Sequence, residues 1–178
     1  GTALVALVIG FIASLALARM NFKGRTALVL MVITIQMVPI GGVIIPVFLI
    51  LNSAGLTNSL FGLGLAYLAF VLPFTVWMLR GFITAVPKDL EEAALVDGCS
   101  RGQAFRRIIL PLAAPGLVAT TIFAVIQGWN EYLYALVLLK DNSKQTIPIW
   151  LDTFVTQKGI DWGALMAAST LVSIPVVI

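Results

Sequence analysis

From Leu60 to Leu79 the chain reads LFGLGLAYLAFVLPFTVWML, twenty residues without one charged side chain. At 1.5 Å per residue, such a run matches the roughly 30 Å hydrocarbon layer of a bilayer. Four further segments behave alike: 2–18, 26–51, 111–139 and 163–178. The runs are continuous, whereas a transmembrane barrel would show short alternating strands. Charged residues make up 11% of the chain, too few to coat a water-soluble surface, which takes about a quarter. The mean hydropathy of +1.05 agrees. The predicted class is all-α: a polytopic transmembrane helical bundle, with 1–178 as a single membrane domain. The first run lacks a basic flank or cleavage site and reads as a span rather than a signal peptide. Because the chain opens on Gly1 and stops at Ile178 inside apolar runs, it reads as a piece of a longer protein, truncated at both ends.

Two of the segments are too long for plain spans. As one straight helix, 111–139 would extend about 44 Å, and "QGWNEY" (Gln127–Tyr132) interrupts it. A break at Gly128 would absorb the excess. Pro39 and Pro46 are expected to kink the segment 26–51.

Composition also removes function classes. There is no histidine, so imidazole metal ligands and His-based acid–base or nucleophile-activating pairs are excluded. The single Cys99 forms no internal disulfide and suggests a reducing compartment. No Gly-rich phosphate loop of the Walker type occurs, so energy for any active process comes from another chain. The net charge of +3 reports topology and gives no reason to expect nucleic-acid binding.

Charge is concentrated in one place. Arg80, Lys88, Asp89, Glu91, Glu92, Asp97, Arg101, Arg106 and Arg107 account for nine of the nineteen Asp, Glu, Lys and Arg residues. With Arg19, Lys23 and Arg25, eight of eleven basic residues fall on one side of the predicted spans, against Lys140, Lys144 and Lys158 on the other. The positive-inside rule makes 80–110 a cytoplasmic loop and 140–162 an extracytoplasmic one. Within the first, Pro87 suits a first helical turn and Lys88–Val96 is rich in helix formers with early acidic residues. Gly98 fits a left-handed helix closure, and Ser100 with Gln103 forms a capping box that starts a second helix. Ala93 and Ala94 leave the first helix slim enough for another protein to approach, Leu90 and Leu95 offer an apolar edge, and the flanking carboxylates suit basic groups on a partner.

Glu92-Ala93-Ala94, Gly98 four positions further on, and then Ile108 and Leu110-Pro111 resemble the EAA signature of ABC importer permeases. "ALARMNFKGR" (16–25), "LAFVLPFTVWMLRGF" (68–82), "GWNEYLYALVLL" (128–139) and "DWGALMAA" (161–168) are similar to the carbohydrate, maltose-type branch of that family. The resemblance implies a type I ABC importer permease fold with six or more spans, in a bacterial or archaeal cell (inner) membrane. It implies that Glu91, Glu92, Ala93, Ala94, Leu95, Asp97 and Gly98 form a cytoplasmic coupling helix seated in a cleft on an ABC ATPase dimer. A second permease subunit, an extracytoplasmic solute-binding protein and surrounding lipid complete the set of partners. The chain itself is then a transport subunit and not an enzyme. It carries no cofactor or metal, ATP-Mg belonging to the partner.

Gln127, Asn130 and Glu131 lie within an apolar segment, where ionisable groups usually face a cavity or the bundle interior. With Gln36 they are candidates to line a sugar pathway. The alternative is that Trp129 and Tyr132 form an interface belt with Glu131 in headgroup water. In the maltose-type branch the outer loop reaches into the binding protein, which makes Lys158, Gly159 and Asp161 candidate contacts. The rival class is an ion-coupled secondary transporter or channel, independent of an ATPase and coupled through Glu131; no paired broken repeats of the kind such transporters carry are evident.

Overall fold

The computed structural model describes residues 1–157 and 159–177, and its regular structure is almost entirely helical. In chain order come α1 (Thr2–Arg19), α2 (Arg25–Met37), α3 (Ile40–Ser53), α4 (Leu60–Ala85) and α5 (Lys88–Val96). Then α6 (Arg101–Ala104), a π-helical turn (Phe105–Ile109) and α7 (Leu110–Trp129) run on as one helix. α8 (Leu133–Leu138), a 3₁₀ turn (Asn142–Lys144), α9 (Ile147–Asp152), a minimal hairpin of β1 (Val155–Thr156) and β2 (Gly159–Ile160), and α10 (Trp162–Val177) complete the described chain. β1 and β2 pair antiparallel, Val155 opposite Ile160. Three helices are long and apolar enough to cross a membrane, Thr2–Arg19, Leu60–Ala85 and Arg101–Trp129, and α2 with α3 would add a fourth if they form one broken span.

Proline sets most of the boundaries. The segment 26–51, expected as one kinked helix, is two helices: Val38 is extended (φ −74°, ψ 122°), Pro39 likewise (φ −64°, ψ 132°), and helix resumes at Ile40. A residue preceding proline is driven out of the α region. Pro46, the other expected kink, lies inside α3 without ending it. α4 continues six residues past the expected limit of Leu79, to Ala85, and stops just ahead of Pro87. The π turn precedes Pro111, which cannot donate to the carbonyl four residues back; there Leu110 N–H reaches the carbonyl of Phe105. The long apolar segment 111–139 does break, after Trp129.

The described residues gather into two compact units, Gly1–Val38 with Leu68–Val125, and Pro39–Tyr67 with the chain from Ile126 onward. In the first, packing reverses the pattern of a soluble protein. α1 buries Ala6, Gly10, Ser14 and Ala18 at four-residue steps, while Leu4, Val8 and Ile12 are 68%, 54% and 65% exposed. α7 buries Ala113, Gly116, Thr120 and Ala124. Small residues inside and branched apolar residues outside are the signature of helices packed against each other and facing lipid. A Cβ on Gly10 would stand 2.7 Å from Thr75 Cγ2, and one on Gly116 would sit inside the ring of Phe82. The buried hydroxyls of Ser14, Thr75 and Thr120 donate to carbonyls of their own helices, at 2.8, 2.9 and 2.7 Å. Ala18, Ile83, Ile109 and Ala113 pack together with Phe11, Leu15 and Phe105 around them.

The second unit has a bulkier core, with Leu51, Leu63, Tyr67, Tyr134, Leu138 and Ile149. Asn58, at φ 54°, pins its turn to the segment after α8. Its side-chain oxygen accepts from the N–H groups of Lys140 and Asp141 at 3.2 and 3.1 Å, and its own N–H donates to Leu138 at 2.7 Å.

Candidate functional site

The charged loop folds as its residue pattern predicts. Pro87 precedes α5, and Asp89 and Glu91 fall in the first turn, where the helix dipole favours negative charge. The helix closes in a Schellman motif: Cys99 N–H donates to Ala94 at 2.9 Å and Gly98 N–H to Leu95 at 3.1 Å. Gly98 takes the left-handed conformation this requires, φ 86°. One residue on, Ser100 Oγ accepts from Gln103 N–H at 3.3 Å while Gln103 Oε1 accepts from Ser100 N–H at 2.8 Å. That reciprocal box starts the helix leading into α7. Two caps separated by a single residue fix the direction of α5 relative to the long helix.

Helical spacing sorts the residues of α5 by face. Asp89, Glu92, Ala93 and Val96, related by steps of three and four, are all exposed. Val96 is 87% exposed, Leu90 44% and Leu95 37%. Asp97 and Gly98 are exposed and Glu91 is half-buried. Ala94, in contrast, is 7% exposed. The expectation that both alanines offer a slim outer surface is therefore corrected: Ala93 faces outward and Ala94 packs inward, because consecutive helical residues point about 100° apart. The outer face is acidic with one apolar knob, Val96. Sequence reasoning missed that residue, although its position seven after Asp89 places it on the same stripe.

The candidate pathway residues differ in burial and in the bonds they make. Gln36 is exposed at the end of α2, its amide donating to Val32 O at 3.2 Å. Asn130 is exposed, and Gln127 is half-buried. Glu131 is 7% exposed, and its two carboxyl oxygens accept from the N–H groups of Tyr134 at 2.8 Å and Ala135 at 3.3 Å. Tyr67 donates to the Glu131 carbonyl at 3.3 Å. The fold gives Glu131 a task that neither sequence reading named: it caps the first turn of α8, whose N–H groups have no partners within that short helix.

Of the outer-loop candidates, Lys158 lies outside the described residues. Gly159 opens β2 at φ 132°, and its carbonyl accepts from Thr156 Oγ at 2.9 Å. Asp161 begins α10 by accepting from Ala164 N–H at 3.1 Å. Both thus shape the hairpin and the helix start. Near the other end of the loop, Asp141 accepts from Ser143 N–H at 2.9 Å, and that bond holds its carboxyl below the usual aspartate range. Among the described residues no group of His, Cys, Asp and Glu is arranged to hold a metal ion.

Comparison with known proteins follows the same lines. The chain is 51% identical over 172 residues to the diacetylchitobiose uptake system permease protein DasC of Streptomyces coelicolor, covering 97% of this chain and 62% of that one. It is 36% identical over 171 residues to the trehalose/maltose transport system permease protein MalG of Thermococcus litoralis, covering 96% and 62%. The chain thus spans under two thirds of the length of these relatives. Among solved structures, a bacterial ABC transporter involved in the import of the acidic polysaccharide alginate matches with a TM-score of 0.69 and 25% identity, over 99% of this chain and 69% of that one. The profile of one family matches residues 6–178, a stretch that holds the double-capped charged loop, the small-residue seams and the broken apolar segments alike: the chain belongs to the binding-protein-dependent transport system inner membrane components.

Proposed function

We propose that this chain is a membrane-spanning subunit of an ATP-driven importer, and that the outer face of α5 docks on its ATPase. The observation that carries the reading is the doubly capped α5, which presents Asp89, Glu92, Ala93 and Val96 outward while both of its ends lead into long apolar helices. A force on that face has no slack loop to dissipate in. The acidic side chains suit charge-assisted hydrogen bonds to arginine or lysine on the partner, and Val96 suits a small apolar pocket. Glu91, Ala94, Leu95, Asp97 and Gly98 belong to the same device, Ala94 and Gly98 by fixing its shape rather than by contact. ATP and its magnesium are bound by the ATPase dimer, not by this chain.

The substrate we propose is a sugar, a mono- or oligosaccharide, delivered outside the membrane by a solute-binding protein and passed between this subunit and a second permease subunit. Its similarity to permeases of diacetylchitobiose and trehalose/maltose systems supports that class. The hairpin around Gly159 and the start of α10 at Asp161 are the segment we assign to contact with the binding protein, and the α5 loop is assigned to the cytoplasmic side.

A single cysteine on α5 tests the reading. In the full-length protein with Cys99→Ser, a cysteine at Ala93 crosslinks to the ATPase within the assembled complex, and one at Ala94 does so far less. Sugar uptake by the reconstituted complex stops when the ATPase is omitted. Equal crosslinking from the two positions, or uptake that persists without the ATPase, overturns the proposal.

A further inference from the structure

Arg19 is the last residue of α1, and its side chain is 10% exposed. A basic residue in that place ordinarily turns back onto its own helix's terminal carbonyls. Here another residue has taken them. Arg25 Nε donates to Leu17 O at 2.8 Å, and its Nη2 reaches Ala18 O at 3.5 Å. Arg19 is thereby free to reach across the unit. Its Nη2 donates to Val86 O at 2.9 Å, at the junction between α4 and α5, and its Nε lies 3.5 Å from Glu91 Oε2 in the first turn of α5. This is the one ion pair among the described residues. The Arg19–Val86 bond is also the one side-chain hydrogen bond among them that joins α1 to the α4–α5 junction.

We propose that Arg19 is a positioning residue that clasps α1 to the α4–α5 hinge and to Glu91, making α1 a third arm, beside α4 and α7, that follows any displacement of α5. The inference rests on the reading of α5 as the docking helix. A planar guanidinium suits the task because its Nη2 donates to the carbonyl while its delocalised charge lies beside the carboxylate, Nε itself making no hydrogen bond. Below the clasp, Ala18 packs with Ile83, Ile109 and Ala113, so the pull is delivered where the three helices already touch. Glu91, half-buried behind the outer face, is then the carboxylate that faces the subunit's own spans, while Glu92 faces the partner.

The test uses the full-length subunit in its assembled complex. With Arg19→Gln, the ATPase still co-purifies, but sugar moved per ATP hydrolysed falls at least threefold. The reversed pair, Arg19→Glu with Glu91→Arg, recovers about half of the wild-type ratio, and Arg19→Lys lies between. A nitroxide on Lys88, exposed at the start of α5 and outside its docking stripe, reports the clasp without reference to transport, its spectrum narrowing as α5 loosens in Arg19→Gln. An unchanged ratio with an unchanged spectrum, or a reversed pair no better than its single variants, overturns the proposal. Failure of the wild-type complex to require ATP overturns the parent reading instead, and the nitroxide spectrum then still decides the clasp.

Discussion

Gly98 and Glu131 show how differently single residues declare themselves. Gly98 sits at φ 86° with open space where a Cβ would go, so the cost of replacing it is conformational rather than steric. For a β-branched residue that cost is about 1–2 kcal/mol, while asparagine tolerates the left-handed region. Gly98→Val is therefore expected to weaken ATPase co-purification several-fold and Gly98→Asn to leave most of it, a ranking that a space-filling argument would not produce. The need for this glycine was legible in the sequence, because Val96-Asp97-Gly98 ends a run of helix formers. Glu131 was not legible. An acidic residue in an apolar segment reads as a pathway group or an interface group; a break near Gly128 was expected, but only the fold reveals that a new helix starts just after Glu131, leaving the N–H groups of Tyr134 and Ala135 to be satisfied. Glu131→Ala strands them in a buried place at about 1–3 kcal/mol. The expected result is a lower thermal midpoint of the detergent-solubilised complex, with the KM for sugar unchanged. Glu131→Gln, which keeps an acceptor oxygen, falls between.

Among the helices, the sequence marked the apolar runs and the punctuation of the charged loop; the punctuation stands where the pattern put it, while the run 26–51 divides in two and the helix of 60–79 continues to Ala85. The seams were harder to see. Ala6, Gly10, Ser14 and Ala18 recur every fourth residue, a signal that could have named the buried face of α1, but in a chain so uniformly apolar the eye follows the large residues, which here face outward. Nor does periodicity tell a kink from a break: Pro39 ends a helix and Pro46 does not. On α7 the seam yields a prediction. Gly116→Val drives its side chain into Phe82, an overpacking that costs about 1–3 kcal/mol, and adding Phe82→Ala is expected to restore part of the lost stability, the non-additivity that marks direct contact. The outer loop yields another. Because Asp141 is held below the ordinary aspartate range by Ser143 N–H, that local stability is present above the ordinary aspartate range and is lost as pH falls through the depressed value. The protection of the Ser143 amide, its exchange rate relative to the intrinsic rate at each pH, should fall at low pH, and Asp141→Asn should flatten that dependence.

For the whole molecule, membership of the family was readable from the sequence, through the EAA-like spacing. The grouping of the candidate pathway residues was not, because Gln36 is far in sequence from the cluster Gln127, Asn130 and Glu131 and nothing in their spacing orders them in space. The proposed function makes one further demand on the assembled complex. Exchanging its binding protein for one of different sugar preference should change which sugar stimulates ATP hydrolysis, with the α5 loop untouched; stimulation that ignores the exchange would place specificity in the membrane subunits.

The buried hydroxyls of the first unit carry a last consequence. Ser14, Thr75 and Thr120 each spend their proton on a carbonyl of the same helix, so no directional bond from any of them grips a neighbour. Surfaces built of small, internally contented residues can slip past one another without a toll of broken bonds. The spans are greased along their length and fastened near one end by an arginine, which is how a lever differs from a block.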